Sequence, residues 1–147
     1  MLTTDDLRVR LATVLPGVRR DLEDLVRIES VSADPERSGE VQRSAEAVRD
    51  LFAAEGLDVE ILSVAGGAPA VVGHKPGPAG APTVLLYAHH DVQPPGPNEE
   101  WRTGPFDPFV EHGRMYGRGA SDDKAGIVVF AAALRACAQG FARGQWT

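Results

Sequence analysis

Thr83-Val84-Leu85-Leu86-Tyr87-Ala88 runs directly into His89-His90-Asp91. A continuous apolar run of that length reads as a strand covered on both faces. Polar groups just past the carboxyl end of such a strand stand where open α/β sheets hold their ligands. Upstream, Leu7, Leu11, Val14, Val18, Leu22, Leu25 and Val26 recur at helical spacing. Thr4 is the expected N-cap of that helix, with Asp5 and Asp6 at its positive end. Pro16 predicts a kink or two abutting helices. After a loop over residues 30–39, a second helix is expected from about residue 40 to 55, with Val41, Ala45, Val48 and Phe52 on one face and Gly56 closing it. The period then shortens to two. Val59 and Ile61 alternate as one strand, which Val64 could extend, and Val71-Val72 form another, turning at Gly66-Gly67.

Downstream of His89, residues 94–108 read as a long loop rich in proline. Phe109-Val110 and Met115-Tyr116 flank His112-Gly113, a hairpin signal. From Asp122 the chain turns helical, with Ile127, Phe130, Ala131, Leu134 and Cys137 on one side. Helices, then strands, then a helix predict an α/β fold. The chain's 147 residues are the length of one domain. Twenty-one acidic against 15 basic residues leave a net charge of −6, which argues against nucleic acid and against a polybasic membrane-surface module. The longest apolar stretch, residues 126–134, stops at Arg135, well short of the roughly 18 residues that span a bilayer. A single cysteine, Cys137, is expected to be a small buried hydrophobe. The opening residues lack the pattern of a signal peptide, so a cytoplasmic protein is expected.

Two segments could carry chemistry. In His89-His90-Asp91 alternate residues share a face, which puts His89 with Asp91 and turns His90 away. A metal-binding histidine commonly has a carboxylate that fixes its tautomer, although His-x-Asp by itself also fits a hydrogen-bonded histidine at a strand end. In Gly117-Arg118-Gly119-Ala120-Ser121-Asp122-Asp123-Lys124 the glycines permit tight turning before a helix. Asp122 there fits a metal ligand and a helix-dipole acid equally well. Asp123 and Lys124 read as solvated or structural, and Arg118 as the partner of a carboxylate. Glu99-Glu100 reads as surface charge, and His74 and His112 as exposed loop or turn residues.

Taken together these segments resemble a known family. Tyr87-Ala-His-His-Asp-Val-Gln-Pro-Pro95, Trp101, Gly104-Pro-Phe-Asp-Pro-Phe109 and Met115-Tyr-Gly-Arg-Gly-Ala-Ser-Asp-Asp-Lys-Ala-Gly126 are similar to the di-zinc metallopeptidases of family twenty, the carnosinase, aminoacylase and bacterial dipeptidase group. The likeness extends to the opening helices and Arg27-Ile-Glu-Ser-Val-Ser32. It implies that His89 binds one zinc, that the catalytic-site residue Asp91 orients His89, and that Asp122 bridges two zinc ions, with Asp123 not a ligand. Two Zn2+ per complete site are implied, and Mn2+ or Co2+ suit the same ligand types. Residues 1–147 would then be the N-terminal part of a catalytic domain, with helices, a mixed sheet and a closing helix but no lid or dimerisation domain, so the family's homodimer contact is expected to be missing. The family's Glu-Glu pair, further acidic ligand and last histidine are not recognisable here.

The implied function is zinc-dependent hydrolysis of a dipeptide or small peptide, inactive in this chain alone. The alternatives are an N-acyl amino-acid deacylase, a non-catalytic metal-binding remnant, or one half of a split enzyme. Removing the missing partners has a structural corollary: the strand before His89 is expected to lack a neighbour on one edge.

Overall fold

Thr3 opens the first helix, α1 (Thr4–Val26). Its hydroxyl accepts from the Asp6 backbone N–H while the Asp6 carboxylate accepts from the Thr3 backbone N–H, a reciprocal capping box. The cap is therefore one residue earlier than the expected Thr4. The computed structural model describes residues 3–141, with side chains to residue 138. Pro16 lies inside α1, which is assigned as one uninterrupted helix rather than two.

A 3-10 turn (Pro35–Arg37), capped by Asp34, leads into α2 (Ser38–Ala54), two residues earlier than expected. Gly56 follows with φ 78°, and the N–H of Leu57 reaches back to Phe52 O. Only a residue without Cβ takes that conformation at low cost, which is why the helix stops there.

Two hairpins follow. β1 (Asp58–Leu62) and β2 (Ala70–His74) pair antiparallel, with Val59 opposite Gly73 and Ile61 opposite Val71, and rest against α2. β3 (Phe109–Glu111) and β4 (Arg114–Tyr116) pair around His112-Gly113, where both residues have positive φ (50° and 76°) as a two-residue primed turn requires. Phe109 and Tyr116 stack across that pair. The residues 94–108 form the expected loop, carrying one short 3-10 turn (Asn98–Glu100) that leaves Glu99 and Glu100 exposed. His74 and His112 are exposed as well.

The apolar run Thr83–Ala88 departs from expectation. It makes no ladder among the described residues, and Val84, Leu85 and Tyr87 are 75, 91 and 79% exposed. Its composition suits a strand buried on both faces, but a strand is defined by its neighbours, and the described residues supply none. The one parallel pairing among the described residues is an isolated bridge between Val31 and Val92. Among the described residues, the sheet component of this α/β chain is therefore two separate hairpins plus that bridge.

α3 (Lys124–Phe141) packs mainly on α1. Its buried face is Lys124, Ile127, Val128, Ala131, Ala132 and Ala136, rotated from the expected stripe so that Phe130, Leu134 and Cys137 are only half-buried. Arg135 of α3 is also part-buried. Its guanidinium turns inward, donating to Asp21 of α1 and to Glu55 behind α2, each at 2.5 Å. The core gathers Val18, Leu25 and Ile28 with Val48 of α2 and Ile127, Val128 and Ala132 of α3, and Ala88 packs against it. No helix among the described residues is long and apolar enough to cross a membrane.

Candidate metal centre

His89 and Asp122 stand 33 residues apart in sequence, and the fold brings His89 Nε2 to 3.0 Å from Asp122 Oδ1. Three short connections achieve this. First, residues 89–92 are tied to the segment after α1. Val92 N–H donates to Ser30 O (2.9 Å), and the hydroxyls of Ser30 and Ser44 both donate to His90 O (2.8 and 3.0 Å). Second, the glycines before Asp122 let the loop press inward. A Cβ on Gly117 would lie 2.7 Å from Val26, and one on Gly119 2.7 Å from Val92, with φ 87° there. Third, Lys124 is fully buried and its ammonium donates to Leu25 O and Ile28 O, both at 2.7 Å. These last two carbonyls lie where α1 ends, so the lysine joins the start of α3 to the end of α1. Lys124 is thus structural and not solvated.

Within this frame His89 Nδ1 faces Asp91, 3.0 Å from its backbone O and 3.3 Å from its Oδ1. The other Asp91 oxygen, Oδ2, accepts from the Ser32 hydroxyl at 2.5 Å. His90 turns away, its Nε2 at 3.0 Å from Pro69 O. Burial lowers the His89 pKa, but the Asp91 backbone oxygen and the carboxylates of Asp122 and Asp91 outweigh it, leaving it above 6.5. The Asp122 side chain is 80% exposed, whereas that of His89 is 38% exposed. The Asp122–Asp123 peptide is cis. Asp123 instead faces Gly126, where an added Cβ would meet its Oδ1 at 2.7 Å.

An imidazole nitrogen and a carboxylate oxygen that each bind one ion at about 2 Å stand roughly 3–3.5 Å from each other. The observed separation fits two ligands of one zinc-sized ion, and the donor types suit zinc, cobalt or manganese. No group of three or more His, Cys, Asp or Glu among the described residues could hold an ion. The described residues thus bring two donors of such a set together and no third. Arg118 has no carboxylate partner among the described residues: its Nη2 donates to Pro94 O and its guanidinium lies over Trp101, 5.5 Å from the ring centre. A cavity of about 380 Å3 is lined by residues such as Arg27, Arg37, Pro95 and Phe106, and neither His89 nor Asp122 borders it.

The residues that sequence reasoning did not single out are Ser30, Ser32 and Ser44. The signal for the first two was the period-two spacing of Ser30-Val31-Ser32, and for Ser44 a hydroxyl on the same helical face as Val41 and Val48.

The sequence pattern of peptidase family M20/M25/M40 matches residues 85–145, which hold His89, Asp91 and Asp122. The structure of human carnosine dipeptidase 1 superposes with a TM-score of 0.82 at 24% identity, over 90% of this chain and 30% of that one. The chain belongs to peptidase family M20. Among relatives of this M20 chain, succinyl-diaminopimelate desuccinylase of Wolbachia pipientis wMel is 36% identical over 110 residues, 75% of this chain and 26% of that protein. The enzyme of the same name from Xanthomonas euvesicatoria is 49% identical over 55 residues, 37% of this chain and 15% of that one. The M20 chain thus spans less than a third of each protein it matches here.

Proposed function

We propose that His89 and Asp122 are two ligands of a zinc centre that hydrolyses the amide bond of a small peptide, in a cytoplasmic dipeptidase. The observation that carries this reading is the 3.0 Å approach of His89 Nε2 to Asp122 Oδ1. Bound zinc supplies a Lewis acid and a hydroxide near neutral pH. The chain's own residues bind and orient: Asp91 holds His89 Nδ1, which leaves Nε2 directed at Asp122, and the exposed Asp122 carboxylate has room to bridge to a second ion. Because only these two ligands converge among the described residues, the 147-residue chain by itself turns over no substrate, and the remaining ligands and the general base belong to the rest of the enzyme.

A second reading, an N-acyl amino-acid deacylase, is favoured by the desuccinylase relatives. Zinc-dependent hydrolysis of a dipeptide and of an N-succinyl amino acid, measured on the protein in which this sequence occurs, separates the two. Faster dipeptide turnover that His89→Ala lowers by at least about 10²-fold supports the dipeptidase. Preference for the N-succinyl substrate with the same loss supports the deacylase. Turnover indifferent to His89→Ala contradicts both.

A further inference from the structure

The end of the unpaired run is held in place by serine hydroxyls as much as by backbone pairing. Ser30 and Ser44 are both fully buried and both donate to His90 O. Ser30 also accepts Val92 N–H through its carbonyl, and the next residue, Val31, makes the parallel bridge to Val92. In the Ser30-Val31-Ser32 stretch, Ser30 thus serves the peptide backbone. Ser32, two residues on, is exposed, and its hydroxyl reaches across 59 positions of sequence to Asp91 Oδ2 at 2.5 Å.

The Asp91 carboxylate is consequently held at both oxygens, Oδ2 by Ser32 and Oδ1 beside His89 Nδ1 at 3.3 Å. The imidazole has two acceptors on that side, the other being the Asp91 backbone oxygen at 3.0 Å. Rotation of Asp91 about χ1 would withdraw Oδ1 and leave the ring with the backbone oxygen alone. We infer that Ser32 is a positioning residue: by fixing the Asp91 carboxylate it keeps His89 Nδ1 engaged and Nε2 aimed at Asp122. This rests on the reading of His89 and Asp122 as metal ligands, but the contact with Asp91 can be tested apart from it.

The test compares Ser32→Ala and Ser32→Thr with the parent chain. Three-bond scalar couplings on the metal-free protein report Asp91 χ1, zinc titration reports affinity, and thermal unfolding reports stability. Ser32 is exposed, so neither variant should lower Tm appreciably. In Ser32→Ala the Asp91 χ1 should average between rotamers and zinc affinity should fall roughly threefold to tenfold, below the range for losing a carboxylate that touches a ligand histidine. Ser32→Thr, which keeps the hydroxyl, should restore both. A fixed Asp91 χ1 in Ser32→Ala, a threonine variant as impaired as alanine, or an affinity loss that merely follows a fall in Tm would each overturn the inference. If no form binds zinc while the couplings behave as expected, the metal reading fails and the Ser32–Asp91 contact stands.

Discussion

Lys124 shows what one buried charge does to this fold. Burial first, and the nearby Arg43 second, lower its pKa from 10.5 to about 8, against the pull of Asp91 and Glu40. The folded chain therefore releases this proton at a lower pH than the unfolded chain. Below pH 8 the lysine is charged in both states and its desolvation weighs fully against folding. Between about 8 and 10.5 the unfolded chain binds the extra proton, so stability rises with pH. The whole shift corresponds to about 3 kcal/mol. Urea unfolding of the parent chain and of Lys124→Met across that window should show the parent gaining stability on the variant by an amount of that order. A flat difference would mean the ammonium is better solvated than its position indicates. Sequence alone left Lys124 between solvated and structural, because a lysine next to two aspartates looks like surface charge. Only the return of α1 beneath the loop reveals the two carbonyls that hold it. His89, Asp91 and Asp122 were legible because their residue types and order carry the family's pattern, whereas Ser32 was not, since its partner lies 59 residues away.

At the scale of elements, α2, the segment after α1 and residues 89–92 meet at one carbonyl. His90 O takes hydroxyls from both Ser30 and Ser44. Losing either leaves that oxygen with a partner, at a cost of about 1 kcal/mol. Losing both orphans it, at a further cost of about 1–3 kcal/mol. Ser30→Ala and Ser44→Ala should therefore destabilise more together than the sum of the singles, as read in a double-mutant cycle of urea unfolding. Strict additivity would show that another donor, or water, takes their place. The helices were the legible elements, since their apolar period and the Gly56 stop are local properties. Both hairpins were legible from turn residues, His112-Gly113 above all. The rotation of α3 was not. Phe130 and Leu134 outrank Ala132 and Ala136 in hydrophobicity, yet the alanines are the buried pair, on a helix that packs mainly against α1.

At the scale of the molecule, Val84-Leu85-Leu86-Tyr87 is the feature most at odds with an independent fold. Those side chains are exposed on a segment without a ladder partner among the described residues, and an unpaired apolar strand is a template for association. Sedimentation velocity should show the 147-residue chain associating as its concentration rises, and Leu85→Lys shifting it toward monomer. Equal behaviour of the two would show that the run is not the contact. The same incompleteness governs the site, where the two converging donors meet no third among the described residues. Equilibrium dialysis of the 147-residue chain against Zn2+, beside His89→Ala and Asp122→Ala, tests that account most directly. It predicts one weakly held ion per chain, lost in either variant. Binding that survives both substitutions, or two tightly held ions, would contradict it.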